Sequence, residues 1–170
     1  MFEFRVTKYD PVHRDCRGVY MRDEWTSVSD IGRVFGGSRL TESEYRRVET
    51  AYATTAVAFL QEAAVLSLMV AGLENHADIP LPLADGSSLG LAEISEVVRR
   101  VLREEFWCRL EGAEAFIHLG YDYYMYVGLP HACPDAERLA NQLGLFVEPF
   151  PSPYGEQRDA ESGAAPDQVI

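Results

Sequence analysis

The chain has 170 residues, of which 47% are hydrophobic and 25% charged, so its composition is typical of one folded domain and excludes a disordered chain. Its net charge is −12, and that charge lies beyond residue 50: residues 1–50 hold nine acids and nine bases, whereas residues 51–170 hold eighteen acids and six bases. Such an excess of acids argues against partners that are nucleic acids or membranes, and it indicates a basic protein partner.

The N-terminal third of the chain combines one clear strand with a segment that is harder to interpret. Residues 2–6 alternate between apolar and polar side chains, which predicts a half-buried strand. Residues 11–40 are rich in charge and glycine. There we expect a second strand near residues 19–21 and a short helix that begins at Ser27 and ends at Gly36-Gly37.

The first long helix begins at Thr41, because Thr41 and Glu44 have the spacing of a capping box. Apolar residues then recur at steps of three and four and form one stripe, made of Tyr45, Val48, Tyr52, Ala56, Phe59 and Ala63. Residues 65–71 follow with almost no polar side chain, which predicts a central strand buried on both faces.

The middle of the chain is predicted to continue with a hairpin, a helix and strands. Asp85-Gly86 is a strong tight-turn signal and predicts a small hairpin over residues 81–89. A second helix is expected from Leu91, where apolar residues recur at helical spacing. Residues 106–111 and 115–128 are rich in aromatic and β-branched side chains, which predicts strands.

The predicted domain ends with a third helix and a last strand. Pro134 suits a first helical position and Gly144 suits the residue after a helix, so the helix is expected between them. A strand over residues 145–150 then completes the domain, which we place at residues 1–154. Residues 155–170 have no apolar periodicity and are predicted to form a flexible acidic C-terminal tail.

The element order β-α-β-α-β-β-α-β predicts the α+β class. We expect a single mixed β-sheet of about five to six strands with three main helices packed mostly on one face. The N-terminus lacks the apolar core of a secretory signal, and the three cysteines have unrelated spacings, which favours a cytoplasmic protein without disulfides. The oligomeric state stays open.

Residues 116–126 hold the densest group of chemically active side chains, and two threadings compete. As one long strand, the segment places four side chains on one polar face: His118, Asp122, Tyr124 and Tyr126. His118 and Asp122 would then be weak candidates for the catalytic residues of a small enzyme, or that face would bind a ligand. A turn at residues 121–122 instead places His118 in the core opposite Met125, and usual strand lengths favour the turn.

Metal and cofactor signals are weak. Two histidine–cysteine pairs have the donor atoms of a structural zinc site, and their members are His13, Cys16, His131 and Cys133. Their spacings are not those of a zinc finger, so ordinary loop residues explain them better. Sequence motifs such as G-x-G-x-x-G and H-E-x-x-H are absent, and no cofactor is predicted.

A binding role fits the sequence better than catalysis, without excluding an enzyme. Acids would steer a basic partner and aromatic side chains would anchor it, and the residues expected to do so are Glu104, Glu105, Trp107, Asp122, Tyr124 and Tyr126. An acidic, compact α+β domain with exposed aromatic residues resembles bacterial immunity proteins, which block a co-encoded toxin. The resemblance is one of type, since no motif carries it, and it implies an intracellular inhibitor or immunity-type protein.

Overall fold

The computed structural model describes residues 1–75 and 78–155. Their elements in chain order are β1 (Phe2–Thr7), β2 (Val34–Phe35), β3 (Ser38–Arg39), α1 (Glu42–Glu62), β4 (Ser67–Glu74), β5 (Ser88–Gly90), α2 (Leu91–Leu102), β6 (Trp107–Glu111), β7 (Phe116–Leu119), β8 (Tyr124–Leu129), α3 (Pro134–Gln142) and β9 (Phe146–Pro149). The α+β class is confirmed. The tail predicted at residues 155–170 lies outside the described residues except for Gly155.

Seven strands form the main sheet, in the order β5-β4-β6-β7-β8-β1-β9, and β2 and β3 form a separate small hairpin. Every described strand pair is antiparallel. The sheet is therefore antiparallel rather than mixed, and it has one or two strands more than predicted. Sequence order shows which elements exist, but strand direction depends on pairing between distant segments.

Among the described residues, helices cover one face of the sheet and none covers the other. Directly opposed residues of antiparallel strands point to the same side, so the register assigns each side chain to a face. Phe4 pairs with Val127 and lies on the helix side, where its ring stacks on Phe59 of α1 at 5.8 Å between centroids. The opposite side, called here the helix-free face, carries Arg5 opposite Tyr126.

The first long helix begins as predicted, although its capping box is only half formed. Thr41 Oγ1 accepts the backbone N–H of Glu44 at 3.1 Å. The carboxylate of Glu44 pairs with Arg47 at 2.8 Å instead of reaching back to the cap. The predicted apolar stripe faces the core, where Tyr52 and Phe59 are fully buried.

A buried carboxylate fixes the second helix against the first. Glu49 of α1 is 1% exposed and accepts hydrogen bonds from Arg103 at 2.6 and 2.8 Å and from Arg99 at 3.3 Å. Both arginines belong to α2 or its C-terminal cap. A buried carboxylate requires such cationic partners, so this cluster holds the C-terminal end of α2 against α1.

Residues 11–40 differ from the prediction. Residues 19–21 form no strand, and only an isolated bridge joins Arg14 to Tyr20. The helix expected from Ser27 is a single 3₁₀ turn, Val28–Asp30, which Ser27 and Asp30 cap. Gly36 and Gly37 both have positive φ and turn the β2–β3 hairpin rather than ending a helix, because glycine is free to adopt that conformation.

Two strand predictions are also corrected. Residues 65–71 were expected to form a central strand, but β4 is second from the edge and its Met69 is 52% exposed on the helix-free face. Residues 81–89 form no hairpin of their own, because β5 pairs with β4. The Asp85 carboxylate instead accepts the N–H of Leu73 at 2.8 Å, and so closes the loop against β4. Within the described ranges no helix has the length and apolarity to cross a membrane.

Candidate functional site

Four of the six residues predicted to bind a partner line one cavity: Glu104, Glu105, Trp107 and Asp122. The cavity has a volume of about 420 Å³ and lies between the C-terminal end of α2, the β7–β8 turn and residues 26–27. We call it the acidic pocket. Its volume is in the range of pockets that hold a ligand or an inserted side chain.

The end of α2 places Glu104 at the pocket. The N–H of Glu104 bonds to the carbonyl of Val101 at 2.9 Å, and the N–H of Glu105 bonds to the carbonyl of Arg100 at 3.1 Å. These two bonds form a Schellman motif, whose C′ residue is usually glycine because its φ is positive. Glu104 occupies that position with a φ of 61°. An acidic residue is therefore present where the backbone conformation favours glycine.

The β7–β8 connection brings Asp122 to the same pocket. It is a four-residue turn over residues 120–123, longer than the predicted two-residue turn. Asp122 and Tyr123 both have positive φ, at 61° and 63°. Such conformations cost about 1–3 kcal/mol each and persist only where surrounding contacts impose them. Here the Tyr52 hydroxyl donates to the Tyr123 carbonyl at 2.6 Å, and Trp25 packs against the Tyr123 ring.

Two carboxylates of the pocket lack a protein partner. Glu105 accepts a hydrogen bond from Arg100 at 2.7 Å, so its charge is compensated. Glu104 and Asp122 are exposed, and within residues 1–75 and 78–155 neither forms an ion pair or a side-chain hydrogen bond. The negative end of the α2 dipole lies beside them. The pocket therefore has two exposed carboxylates that no ion pair among the described residues compensates.

Aromatic side chains supply the remaining walls. Trp107 is half-buried and its indole N–H donates to the Leu119 carbonyl at 2.6 Å, which fixes the ring. Tyr123 is buried, burial raises the pKa of its hydroxyl, and that hydroxyl reaches the Leu102 carbonyl at 3.4 Å. Tyr121 is 75% exposed at the pocket rim. Aromatic rings beside unpaired carboxylates form a surface suited to a cationic group.

No family model, curated protein or solved structure matches the chain.

The other two residues predicted to bind a partner do not line the acidic pocket. Tyr124 and Tyr126 lie on the helix-free face, and Tyr126 is only 8% exposed under Phe150 and Tyr154. Tyr121 also lines the pocket but is not among the predicted binding residues, because the sequence places it in the turn. Its exposed aromatic ring at the tip of that turn is the signal that would have added it to the candidates.

His118 is the other feature singled out from the sequence, and it lies in the interior. It is fully buried and pairs with Tyr126 rather than with the predicted Met125, because the longer turn shifts the register by one residue. Its Nε2 lies 2.8 Å from Glu111 Oε1, and its Nδ1 lies 2.7 Å from Ser152 Oγ. An ionised carboxylate only accepts, so Nε2 carries a hydrogen, and in a neutral ring Nδ1 then accepts the Ser152 hydroxyl hydrogen.

This arrangement separates the two weak catalytic candidates. Asp122 faces the acidic pocket, whereas both ring nitrogens of His118 are bonded elsewhere and its ring stacks on Phe116 at 4.2 Å. A fully buried imidazole gives a substrate no access in this conformation. The hydrogen bonds of Ser152 hold the segment after β9 against the helix-free face, since its N–H also donates to Glu3 at 2.8 Å.

The weak metal candidates occupy separate environments. Cys133 is buried, burial raises the pKa of its thiol to about 11, and its Sγ lies 3.9 Å from Nδ1 of His131. Cys16 is exposed, and His13 packs edge-on against Tyr20 in the N-terminal segment. Among the described residues no group of three or more histidine, cysteine, aspartate or glutamate side chains is placed to hold a metal ion.

Proposed function

We propose that this protein is an acidic protein-binding module whose acidic pocket receives a lysine or arginine side chain of a basic partner. The observation that carries the proposal is the pair of unpaired carboxylates, Glu104 and Asp122, beside the aromatic walls of one cavity.

The local electrostatics favour a cation over any other group. Two carboxylates and the C-terminal end of a helix attract positive charge, and the ring faces of tryptophan and tyrosine add about 0.5–2 kcal/mol for a bound cation. The pocket is partly closed, so the attraction is screened less than at a flat surface. A protruding ammonium or guanidinium group matches both the charge and the shape.

The backbone at this site supports a functional role. Glu104, Asp122 and Tyr123 all have positive φ, and all three line the acidic pocket. Residues in costly conformations cluster at binding sites, where selection for function outweighs the loss of stability. A glycine at position 104 would adopt this conformation without strain.

The whole-molecule charge supports the same proposal at longer range. A net charge of −12 attracts a basic protein before contact and raises the association rate. An inhibitor or immunity-type protein that blocks a basic enzyme has these requirements. The three cysteines Cys16, Cys108 and Cys133 are free, which is consistent with the cytoplasmic location we propose.

The proposal is tested by matched charge variants. The wild-type chain is immobilised on a resin and incubated with a lysate of its native host. Retained proteins are identified by mass spectrometry, and the basic protein retained most strongly is purified. We expect Glu104→Gln with Asp122→Asn to weaken its binding at least tenfold. The control is Glu42→Gln with Asp135→Asn, which removes the same charge from two exposed sites on α1 and α3. Equal affinity of both double variants would contradict the proposal.

An alternative proposal, a small enzyme, keeps His118 from the predicted 118–126 face but not Asp122, and it depends on a different observation. His118 bridges Glu111 and Ser152, an arrangement in which an imidazole polarises a serine hydroxyl. It requires the segment that carries Ser152 to open. Labelling of Ser152 by a fluorophosphonate, abolished in His118→Gln, would favour this alternative, and an unlabelled Ser152 would exclude serine nucleophilic catalysis.

A further inference from the structure

The segment after β9, residues 150–155, lies across the helix-free face, and we call it the strap. The backbone N–H of Ser152 donates to the Glu3 carboxylate at 2.8 Å, and its Oγ lies 2.7 Å from Nδ1 of the buried His118. Proline occupies every second position from 149 to 153. Because proline restricts the backbone in the unfolded chain as well, the strap loses less conformational entropy when it docks.

Tyr154 extends from the strap to the acidic pocket without lining it. Its ring contacts that of Trp107, a wall of the pocket, at 5.7 Å between centroids. Its hydroxyl lies over Gly120, another lining residue: a Cβ atom at that position would be only 3.0 Å from the hydroxyl oxygen. Tyr154 therefore supports two lining residues of the pocket from outside the cavity.

The side chain of Tyr154 is itself held in place by the strap and by the sheet. Its backbone N–H donates to Ser152 Oγ at 3.2 Å, the same oxygen that bonds to His118. Its ring packs edge-on against His118 and Tyr126, each at 6.0 Å between centroids. A side chain restrained in this way can in turn restrain the indole that it contacts.

Trp107 depends on this contact because one hydrogen bond does not define the orientation of its ring. The indole N–H donates to the Leu119 carbonyl at 2.6 Å, which fixes one edge of the ring. The contact with Tyr154 restricts the tilt of the ring about that edge. A cation is attracted to the face of an indole, so the tilt decides how much the ring contributes to the binding of a cation.

We infer that Tyr154 is a positioning residue of the acidic pocket, which holds Trp107 in the orientation that presents the indole face to the bound cation. The inference rests on the proposed function, because it concerns the binding of the same lysine or arginine group. Docking of the strap and binding in the pocket are then coupled, and each strengthens the other by the same factor.

The indole of Trp107 is a direct reporter for the test. The ¹⁵N-labelled chain has two tryptophan side chains, Trp25 and Trp107, and Trp107→Phe assigns their indole N–H signals in an NMR spectrum. The chain is titrated with the capped tripeptide acetyl-Gly-Arg-Gly-amide, and the movement of the Trp107 signal gives the dissociation constant. We expect Tyr154→Ala to shift this signal in the free chain and to weaken binding about fivefold. Tyr154→Phe keeps the ring and should restore both.

A matched control separates this role from a general loss of the strap. Phe150→Ala also removes one aromatic ring from the strap, but Phe150 packs on Tyr126 and Arg5 rather than on Trp107, so it should leave the affinity unchanged. If Tyr154→Ala does not fold, Tyr154→Leu makes the same test, since it keeps apolar bulk without a flat ring. Wild-type affinity in the Tyr154 variant, or an equal loss in Phe150→Ala, would overturn the inference.

The same titration distinguishes this failure from a failure of the proposed function. If the wild type does not bind the tripeptide, or if Glu104→Gln with Asp122→Asn binds it as tightly, the acidic pocket is not a cation site and both proposals fail. If the charge variant is impaired and Tyr154→Ala is not, the pocket binds cations without support from the strap, and only the role of Tyr154 fails.

Discussion

Glu104 and Asp122 adopt the same left-handed backbone conformation, each with a φ of 61°, and their side chains line one pocket. The first follows the C-terminal cap of α2 and the second lies in the turn between β7 and β8. For residues other than glycine this conformation costs about 1–2 kcal/mol of stability, although aspartate tolerates it better. Stability and binding are therefore expected to oppose each other at these positions.

Replacement of Glu104 by glycine tests that opposition. Glu104→Gly should stabilise the chain by about 1 kcal/mol, because glycine adopts a positive φ without strain, and it should weaken partner binding. Ala64 is a matched control: it has a φ of 56° at the equivalent position after α1 and does not line the pocket. Ala64→Gly should raise stability in urea unfolding by a similar amount and leave binding unchanged. A Glu104→Gly variant with unaltered affinity would remove Glu104 from the site.

Two tyrosines separate anchoring from packing. Tyr121 is 75% exposed at the pocket rim, so Tyr121→Ala should change the melting temperature little and should raise the partner's dissociation rate. Tyr126 is 8% exposed, so Tyr126→Ala should cost about 3 kcal/mol of unfolding free energy. Thermal unfolding and surface plasmon resonance measure the two effects. Reversed behaviour of the two variants would place the interface on the helix-free face.

Salt dependence tests the electrostatic part of the proposal. Exposed charges are screened beyond about 8 Å at physiological ionic strength, so association with the basic partner should be fast at low salt and slow as salt rises. Neutralising Glu104, Glu105 and Asp122 together should lower the association rate and flatten its salt dependence, with little change in melting temperature. Stopped-flow measurements at several salt concentrations show whether the slope changes, and an unchanged slope would argue for steering by other acids.

Lys8 makes stability depend on pH. Burial lowers its pKa to about 8 in the folded chain from near 10.5 when unfolded, so between these values the unfolded chain binds more protons. The stability contributed by Lys8 therefore rises with pH across this window. Relative to Lys8→Met, the wild type should gain about 2–3 kcal/mol between pH 7 and pH 10. Urea unfolding of both chains at both pH values measures the gain, and subtraction cancels the titration of cysteines and tyrosines.

Truncation separates the predicted tail from the segment that docks. A chain that ends at Gly155 should melt within a few degrees of the full chain, because residues 156–170 have no apolar periodicity. A chain that ends at Pro151 loses the Ser152 hydrogen bonds to His118 and Glu3 and the packing of Tyr154. It should lose about 2–4 kcal/mol of stability in chemical unfolding. A large loss in the longer chain would show that residues 156–170 contribute to the fold.

Local sequence signals predicted the helices well. The Thr41 hydroxyl caps α1, Pro134 begins α3, and Gly144 follows its C-terminal cap with a φ of 83°. Each of these features depends on residues within one or two turns, so the chain need not be folded for the signal to be present. The stripe that contains Tyr52 and Phe59 is likewise a local pattern, and it correctly identified the buried face of α1.

Strand environment was predicted less well, because it depends on neighbours that are distant in sequence. The apolar run at residues 65–71 is the same whether one or both faces of its strand are covered. Pairing places β4 beside the short edge strand β5, which leaves Met69 exposed. The pairing of His118 with Tyr126 likewise depends on the length of the β7–β8 turn. A turn of different length shifts the register between β7 and β8 and so changes the partner of His118.

The sequence by itself determined the charge of the molecule, its three helices and the residue types that the proposed basic partner would require. It identified Glu104, Glu105, Trp107 and Asp122 separately, as acids and aromatics, without a reason for them to meet. Only the tertiary structure decided that they share a pocket. The end of α2, fixed by Glu49 and its two arginines, lies beside a turn whose left-handed residues are held by the core, and no local pattern encodes that proximity.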